Sequence, residues 1–84
     1  MNTEETKEKV ISSIQRLSNA SAISDSNTLE EIGITSLKFI RLVVDIEKKC
    51  EMRFDDQDID SKLFYTVNDL IMYVKNKSKQ NLLV

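Results

Sequence analysis

The sequence has 84 residues with 12 basic and 14 acidic side chains, and this mild net charge of −2 argues against non-specific binding to nucleic acid. One Cys and no His exclude an intrachain disulfide, a Cys-x-x-Cys site and any triad that relies on His. No segment resembles a signal peptide or approaches the roughly 20 apolar residues that span a bilayer. A single free thiol suits a reducing compartment, so we expect a cytoplasmic protein. We also expect one monomeric domain over residues 1–84 that makes no membrane contact.

The chain contains no Pro and one Gly, which favours helices joined by polar loops over a sheet. A first helix is predicted from about Thr3 to Leu17, because its apolar residues recur at spacings of three and four. Residues 18–27 are rich in Ser and Asn, whose side chains compete for backbone hydrogen bonds, so they predict a long first loop. Apolar residues near the end of this loop should pin it to the core: Leu29, Ile32 and Ile34.

A second helix is predicted from about Ser36 to Glu51, and it is apolar over a wide arc. A helix this apolar is either largely enclosed or offers a face to partners. Cys50, near its end, is interpreted as a core thiol because free Cys is commonly buried. The apolar residues of the arc are Leu37, Phe39, Ile40, Leu42, Val43, Val44, Ile46 and Cys50.

The acidic run from Asp55 to Asp60 is interpreted as a solvated loop, followed by one short helical turn around Gln57 to Leu63. The last helix is expected to begin near Thr66, with a cap and a first-turn carboxylate. Its end is expected to fray into a disordered tail over about 78–84. The predicted fold class is all-α, a small bundle of three main helices plus one short helix.

No side chains suggest an active site. The sequence has no plausible nucleophile–base pair, no glycine-rich phosphate loop and no metal-ligand cluster. We therefore predict no catalytic residues, no metal-binding residues and no enzymatic activity. The residues taken alone favour a helical interaction domain.

One segment points further. The stretch Glu31-Ile32-Gly33-Ile34-Thr35-Ser36-Leu37 resembles the modification motif of acyl and peptidyl carrier proteins, in which a Gly and an apolar residue precede Asp-Ser-Leu at the start of the second helix. The resemblance extends over about residues 8 to 75. It includes the approach from Thr28 to Gly33, the apolar pattern of the second helix, Phe54 and Thr66-Val67.

The resemblance implies that Ser36 carries a covalent 4′-phosphopantetheine arm derived from coenzyme A. A phosphopantetheinyl transferase would attach the arm, and an adenylating ligase or acyltransferase would load its thiol for downstream biosynthetic enzymes. Physically, the first residue of a helix after a Gly can project its hydroxyl from an exposed turn. The helix N-terminus also favours a phosphate there. The alternative interpretation of Ser36 is an ordinary helix-capping serine.

Thr35 departs from the family pattern, which has Asp at this position. In carriers that Asp is thought to cap the second helix and to help a transferase that uses magnesium. Thr can cap a helix, but it offers no carboxylate to a metal. We therefore expect slower modification, or a requirement for a particular transferase.

The second helix also predicts a partner-binding face. In the family this helix faces partner enzymes, which assigns Leu37, Lys38, Ile40, Arg41 and Val44 to that role, although Leu37, Phe39 and Val44 could equally complete the core. Up to Cys50 the helix carries four cations and two carboxylates, a net of +2, whereas fatty-acid carriers usually present an acidic helix. This favours specialised biosynthesis of the polyketide or nonribosomal-peptide type. The alternatives are a fatty-acid synthase carrier and an unmodified, carrier-like helical adaptor.

Overall fold

The computed structural model describes residues 3–82, with side chains described for residues 4–77. Within residues 3–82, three α-helices follow one another: α1 (Thr3–Leu17), α2 (Ser36–Cys50) and α3 (Val67–Leu82). Two 3₁₀ turns, Asp56–Asp58 and Ser61–Leu63, connect α2 to α3. This confirms the predicted all-α bundle, with one correction, because the single helical turn expected between the last two helices is split into two.

The core forms where the apolar stripes of the helices meet, and α1 contacts both α2 and α3. The predicted stripe of α1 supplies Val10 and Ile14, which are completely buried. Burying such side chains stabilises the fold by about 1.5–3 kcal/mol each. Further side chains with almost no exposure come from α2 and α3: Phe39, Leu42, Ile46, Val67, Leu70, Ile71 and Val74.

The long first loop is attached to the core as expected. Leu29, Ile32 and Ile34 are each at most 5% exposed, which confirms their predicted role. The backbone also holds the loop against the entrance to α3. The Leu29 N–H donates to the Tyr65 carbonyl (3.1 Å) and the Val67 N–H donates to the Asn27 carbonyl (2.9 Å). These bonds place the loop beside the segment that carries the second 3₁₀ turn.

Capping contacts and backbone conformation explain where α3 begins and where α2 ends. The Asp69 carboxylate accepts the Thr66 N–H at 3.0 Å while the Thr66 hydroxyl accepts the Asp69 N–H at 3.1 Å, which is the predicted reciprocal cap of α3. Helix α2 stops at Cys50, one residue before the expected end. It stops there because Glu51 adopts the left-handed conformation (φ 51°) and terminates the helix.

The acidic run is not simply a solvated loop, and this expectation is corrected. The Tyr73 hydroxyl donates to the Asp58 carboxylate at 2.8 Å, and Lys77 forms an ion pair with Asp55. Tyr73 and Lys77 are four residues apart on α3 and therefore face the same segment. Tyr73 also stacks on Phe54, with ring centroids 4.8 Å apart. The first 3₁₀ turn is thus bound to α3.

Helix α3 continues to Leu82, past the expected end near residue 78. The expectation of a disordered tail over 78–84 stays a prediction, since its last two residues lie outside the described part of the chain. No helix within residues 3–82 has both the length and the hydropathy to cross a membrane.

Candidate functional site

Ser36 is the first residue of α2, and its side chain is exposed. The capping role belongs to its neighbour, because the Thr35 hydroxyl accepts the Lys38 N–H at 3.3 Å and the Thr35 carbonyl accepts the Phe39 N–H at 2.8 Å. The prediction that Thr35 is a cap is therefore confirmed. The interpretation of Ser36 as a capping serine is wrong, and its hydroxyl is left free of that task.

A tight turn places Thr35 and Ser36 at this surface. Gly33 adopts φ +85°, a conformation that residues with a Cβ rarely adopt. The Gly33 N–H donates to the Glu30 carbonyl at 3.0 Å, and the Ile34 N–H donates to the Leu29 carbonyl at 2.9 Å. The Ile34 side chain is buried in the core. The chain is thus anchored immediately before the helix begins, which holds Ser36 in one position.

Ser36 borders a cleft between the first loop, the start of α2 and the second 3₁₀ turn, which we call the Ser36 cleft. Its volume is about 440 Å³. The Ser36 Oγ lies 3.3 Å from the Ser61 Oγ, within hydrogen-bond distance. The rings of Phe39 and Phe64 stack with their centroids 5.6 Å apart, which packs the two walls together. The residues lining the cleft are Leu29, Glu30, Ile34, Thr35, Ser36, Phe39, Ser61, Lys62, Phe64 and Tyr65.

Sequence reasoning did not predict Ser61 and Lys62 as neighbours of Ser36. They are 25 and 26 residues away along the chain, and no local pattern pairs a 3₁₀ turn with a helix start. No signal in the sequence indicated this contact.

Helix α2 presents an apolar stripe beside Ser36. Leu37, Ile40 and Val44 are 70%, 47% and 45% exposed, and their spacing of three and four residues puts them on one side of the helix. Phe39, by contrast, is fully buried and belongs to the core. Of the three side chains that could have completed the core, Phe39 does so, whereas Leu37 and Val44 lie at the surface.

The charges of α2 are distributed unevenly. Asp45 pairs with Arg16 of α1 at 3.4 Å and with Lys49 at 3.5 Å, and Glu47 accepts the Phe54 N–H at 2.9 Å. Both carboxylates of the helix are therefore engaged within the protein. The cations that Asp45 pairs with are Arg16 of α1 and Lys49 near the end of α2, and not the cations of the first turns of α2.

Lys38 and Arg41 lie within the first two turns of α2, and neither forms an ion pair within the described residues. Lys38 is half-buried and Arg41 is exposed. The surface beside Ser36 is therefore apolar and positively charged. All five side chains assigned to the partner face thus reach the surface at least in part.

The start of α2 fits a covalent phosphate ester. The hydroxyl of Ser36 is exposed, and the N–H groups of Ser36 and Leu37 make no hydrogen bond within the described residues. Unpaired N–H groups and the positive end of the helix dipole both favour a phosphate. Among the described residues, no group of three His, Cys, Asp or Glu side chains is placed to hold a metal ion.

The thiol of Cys50 is not available for cargo. The side chain is 4% exposed, which confirms the predicted core thiol, and burial raises its pKa. A thiol that is both enclosed and protonated is a poor nucleophile. A thioester carrier of this sequence therefore depends on a thiol supplied by an attached group.

Comparison with known proteins agrees with this geometry. A family model described as a phosphopantetheine attachment site matches residues 8–74. The chain is 28% identical over 79 residues to an acyl carrier protein of Desulforapulum autotrophicum, covering 93% of this chain and all of that protein. It is 30% identical over 73 residues to an acyl carrier protein homolog of Mycoplasmopsis pulmonis, covering 87% of this chain and 96% of that protein. The chain belongs to the phosphopantetheine-dependent acyl carrier protein family.

Proposed function

We propose that this protein is a carrier that holds an acyl or aminoacyl group as a thioester on a 4′-phosphopantetheine arm at Ser36. The observation that carries the proposal is at the start of α2, where Thr35 caps the helix and the Ser36 hydroxyl stays exposed. In the attachment, the Ser36 oxygen forms a bond to the phosphorus of coenzyme A that bears the pantetheine. The bond from that phosphorus to adenosine 3′,5′-bisphosphate breaks, and the hydroxyl proton passes to a base of the transferase. The protein itself performs no catalysis.

The attachment is tested by intact mass after incubation with coenzyme A, magnesium and a broad-specificity phosphopantetheinyl transferase. We expect a gain of one phosphopantetheine, which Ser36→Ala abolishes. Ser12→Ala, an exposed serine of α1, is the matched control and should keep the gain. A gain that persists in Ser36→Ala would refute Ser36 as the attachment site, and absence of the gain from the unaltered chain with several transferases would favour the unmodified adaptor.

Thr35 is expected to slow the attachment, because its hydroxyl is occupied as the cap and it offers no carboxylate to the magnesium of the transferase. Thr35→Asp should therefore raise the modification rate. The fold should be kept, since Asp also caps helices and suits a helix N-terminus. An equal or lower rate with several transferases would show that Thr35 is no handicap.

The surface of α2 supports a role in specialised biosynthesis over fatty-acid synthesis. Any enzyme that reaches Ser36 approaches Leu37, Lys38, Ile40, Arg41 and Val44, so its surface should be acidic or apolar. Like charges brought together would slow the encounter. A fatty-acid synthase carrier is the second candidate, and the similarity to acyl carrier proteins supports it.

The charge argument is tested with Lys38→Glu/Arg41→Glu. The control, Lys48→Glu/Arg53→Glu, makes the same change in net charge, and Lys48 is about 18 Å from Ser36 along the helix axis. The first variant should load more slowly with the cognate ligase or acyltransferase and faster with fatty-acid synthase enzymes. For an acidic docking patch, the difference from the control should shrink at high salt. Unchanged cognate loading, together with good acceptance of the unaltered chain by fatty-acid enzymes, would favour the fatty-acid role.

A further inference from the structure

We propose that Ser61 and Lys62, in the second 3₁₀ turn, form a binding site for the phosphate of the arm. The inference rests on the proposed attachment at Ser36, and it assigns to these two residues a function that the family relationship does not supply. The first observation is the distance of 3.3 Å between the Ser36 Oγ and the Ser61 Oγ. Any phosphate bonded to the Ser36 oxygen therefore begins within reach of the Ser61 hydroxyl, which can donate to it.

Lys62 supplies the charge. It lines the same cleft, its side chain is exposed, and it forms no ion pair within the described residues. Two carboxylates lie near it and act against phosphate binding. Glu30 also lines the cleft, and the Asp60 carboxylate accepts the Lys62 N–H at 2.9 Å. The unpaired N–H groups at the start of α2 add to the attraction of Lys62.

The 3₁₀ turn is held firmly enough to act as a binding element. Phe64, the residue that follows it, is 6% exposed and stacks on Phe39 of α2. The Leu63 N–H donates to the Asp60 carbonyl at 3.0 Å and closes the turn. The two walls of the cleft are thus joined through the core. The position of Ser61 relative to Ser36 therefore follows from packing and not from a flexible loop.

A bound phosphate would change how the arm leaves the protein. Contacts to both α2 and the 3₁₀ turn restrict rotation about the ester bond at Ser36. The first atoms of the arm would then run along the Ser36 cleft. Losing Ser61 and Lys62 should leave the arm attached but mobile from its first bond.

The test compares apo and modified protein for the unaltered chain, for Ser61→Ala/Lys62→Gln, and for the control Ser12→Ala/Lys48→Gln. Phosphorus-31 relaxation reports the motion of the phosphate, and amide chemical shifts report which backbone it touches. We expect the phosphate of the unaltered protein and of the control to tumble with the protein. Modification should also shift the amides of Ser61 and Lys62. In the double variant we expect faster phosphate motion.

Thermal unfolding supplies a second measurement. Modification should raise the Tm of the unaltered chain and the control by more than that of Ser61→Ala/Lys62→Gln. The excess should fall at high salt, where charges on the surface are screened. Lys62→Gln alone serves if the double variant does not fold. Equal phosphorus relaxation and an equal rise in Tm for all modified chains would overturn the inference. The proposed function fails separately, by the absence of a mass gain on the unaltered chain.

Discussion

The turn before Ser36 depends on Gly33, and Gly33→Ala should destabilise the protein. The cause we expect is the backbone conformation of residue 33, which can be separated experimentally from steric contact with the Asn19 side chain. At φ +85° an added Cβ meets two costs. One is the backbone conformation itself, which costs a residue with a Cβ about 1–2 kcal/mol. The other is contact, because the new Cβ would lie 2.7 Å from the Nδ2 of Asn19.

The magnitudes favour the backbone term. Asn19 is exposed, and the crowded atom is the end of its side chain, which can rotate away at small cost. Replacing Gly also restricts the unfolded chain, which offsets about 0.4–1 kcal/mol. We therefore expect Gly33→Ala to lower the free energy of unfolding by about 1 kcal/mol. For a domain of this size, that corresponds to a fall in Tm of about 4–8 °C.

Denaturant and thermal unfolding of four proteins separate the two terms: the unaltered chain, Gly33→Ala, Asn19→Ala and Asn19→Ala/Gly33→Ala. If conformation dominates, Gly33→Ala costs nearly the same with or without the Asn19 side chain. Gly33→Asn should cost less than Gly33→Ala, since Asn tolerates the left-handed region better. Full recovery in the double variant would assign the loss to contact instead. An unchanged stability of Gly33→Ala would refute the reasoning altogether.

Three further predictions concern groups away from this turn. The Ser13 hydroxyl and the nearby cations lower the pKa of Asp45 in the folded protein below its usual value of 3.8. The ionised Asp45 therefore stabilises the fold above pH 3.8, and this stabilisation is lost as the pH falls through the lowered pKa of the folded state. Asp45→Asn should therefore cost about 1 kcal/mol near pH 7 and progressively less in acid, as measured by denaturant unfolding. Tyr73→Phe, which removes the bond to Asp58, should cost about 1 kcal/mol, and a loss of zero in the same assay would contradict it. Cys50 should react with a thiol reagent only after the protein unfolds. Native protein should therefore show no reactive thiol before phosphopantetheine is attached, and one reactive thiol, that of the arm, afterwards. Fast reaction of the native apo protein would contradict the burial of Cys50.

The local features of this protein were predictable from the sequence. The apolar stripe of α1 and the reciprocal cap at Thr66 are patterns within a few residues, and helices form from contacts at that range. The start of α2 was predictable for the same reason, since a Gly, a capping Thr and an apolar run mark it in sequence. These signals place Ser36 at the first helical position.

Tertiary structure alone decided which surfaces those elements share. The apolar arc of α2 is wider than one neighbour can cover. Only its packing against α1 and against Phe64 determines that Phe39 is buried while Leu37 is exposed. The contact between Ser36 and Ser61, and the bonds that tie the acidic run to α3, join residues 15 to 25 positions apart. Such pairings have no period in the sequence. They exist because the core brings separate turns to the same edge, and that is why the binding site proposed for the phosphate could be found only in the folded chain.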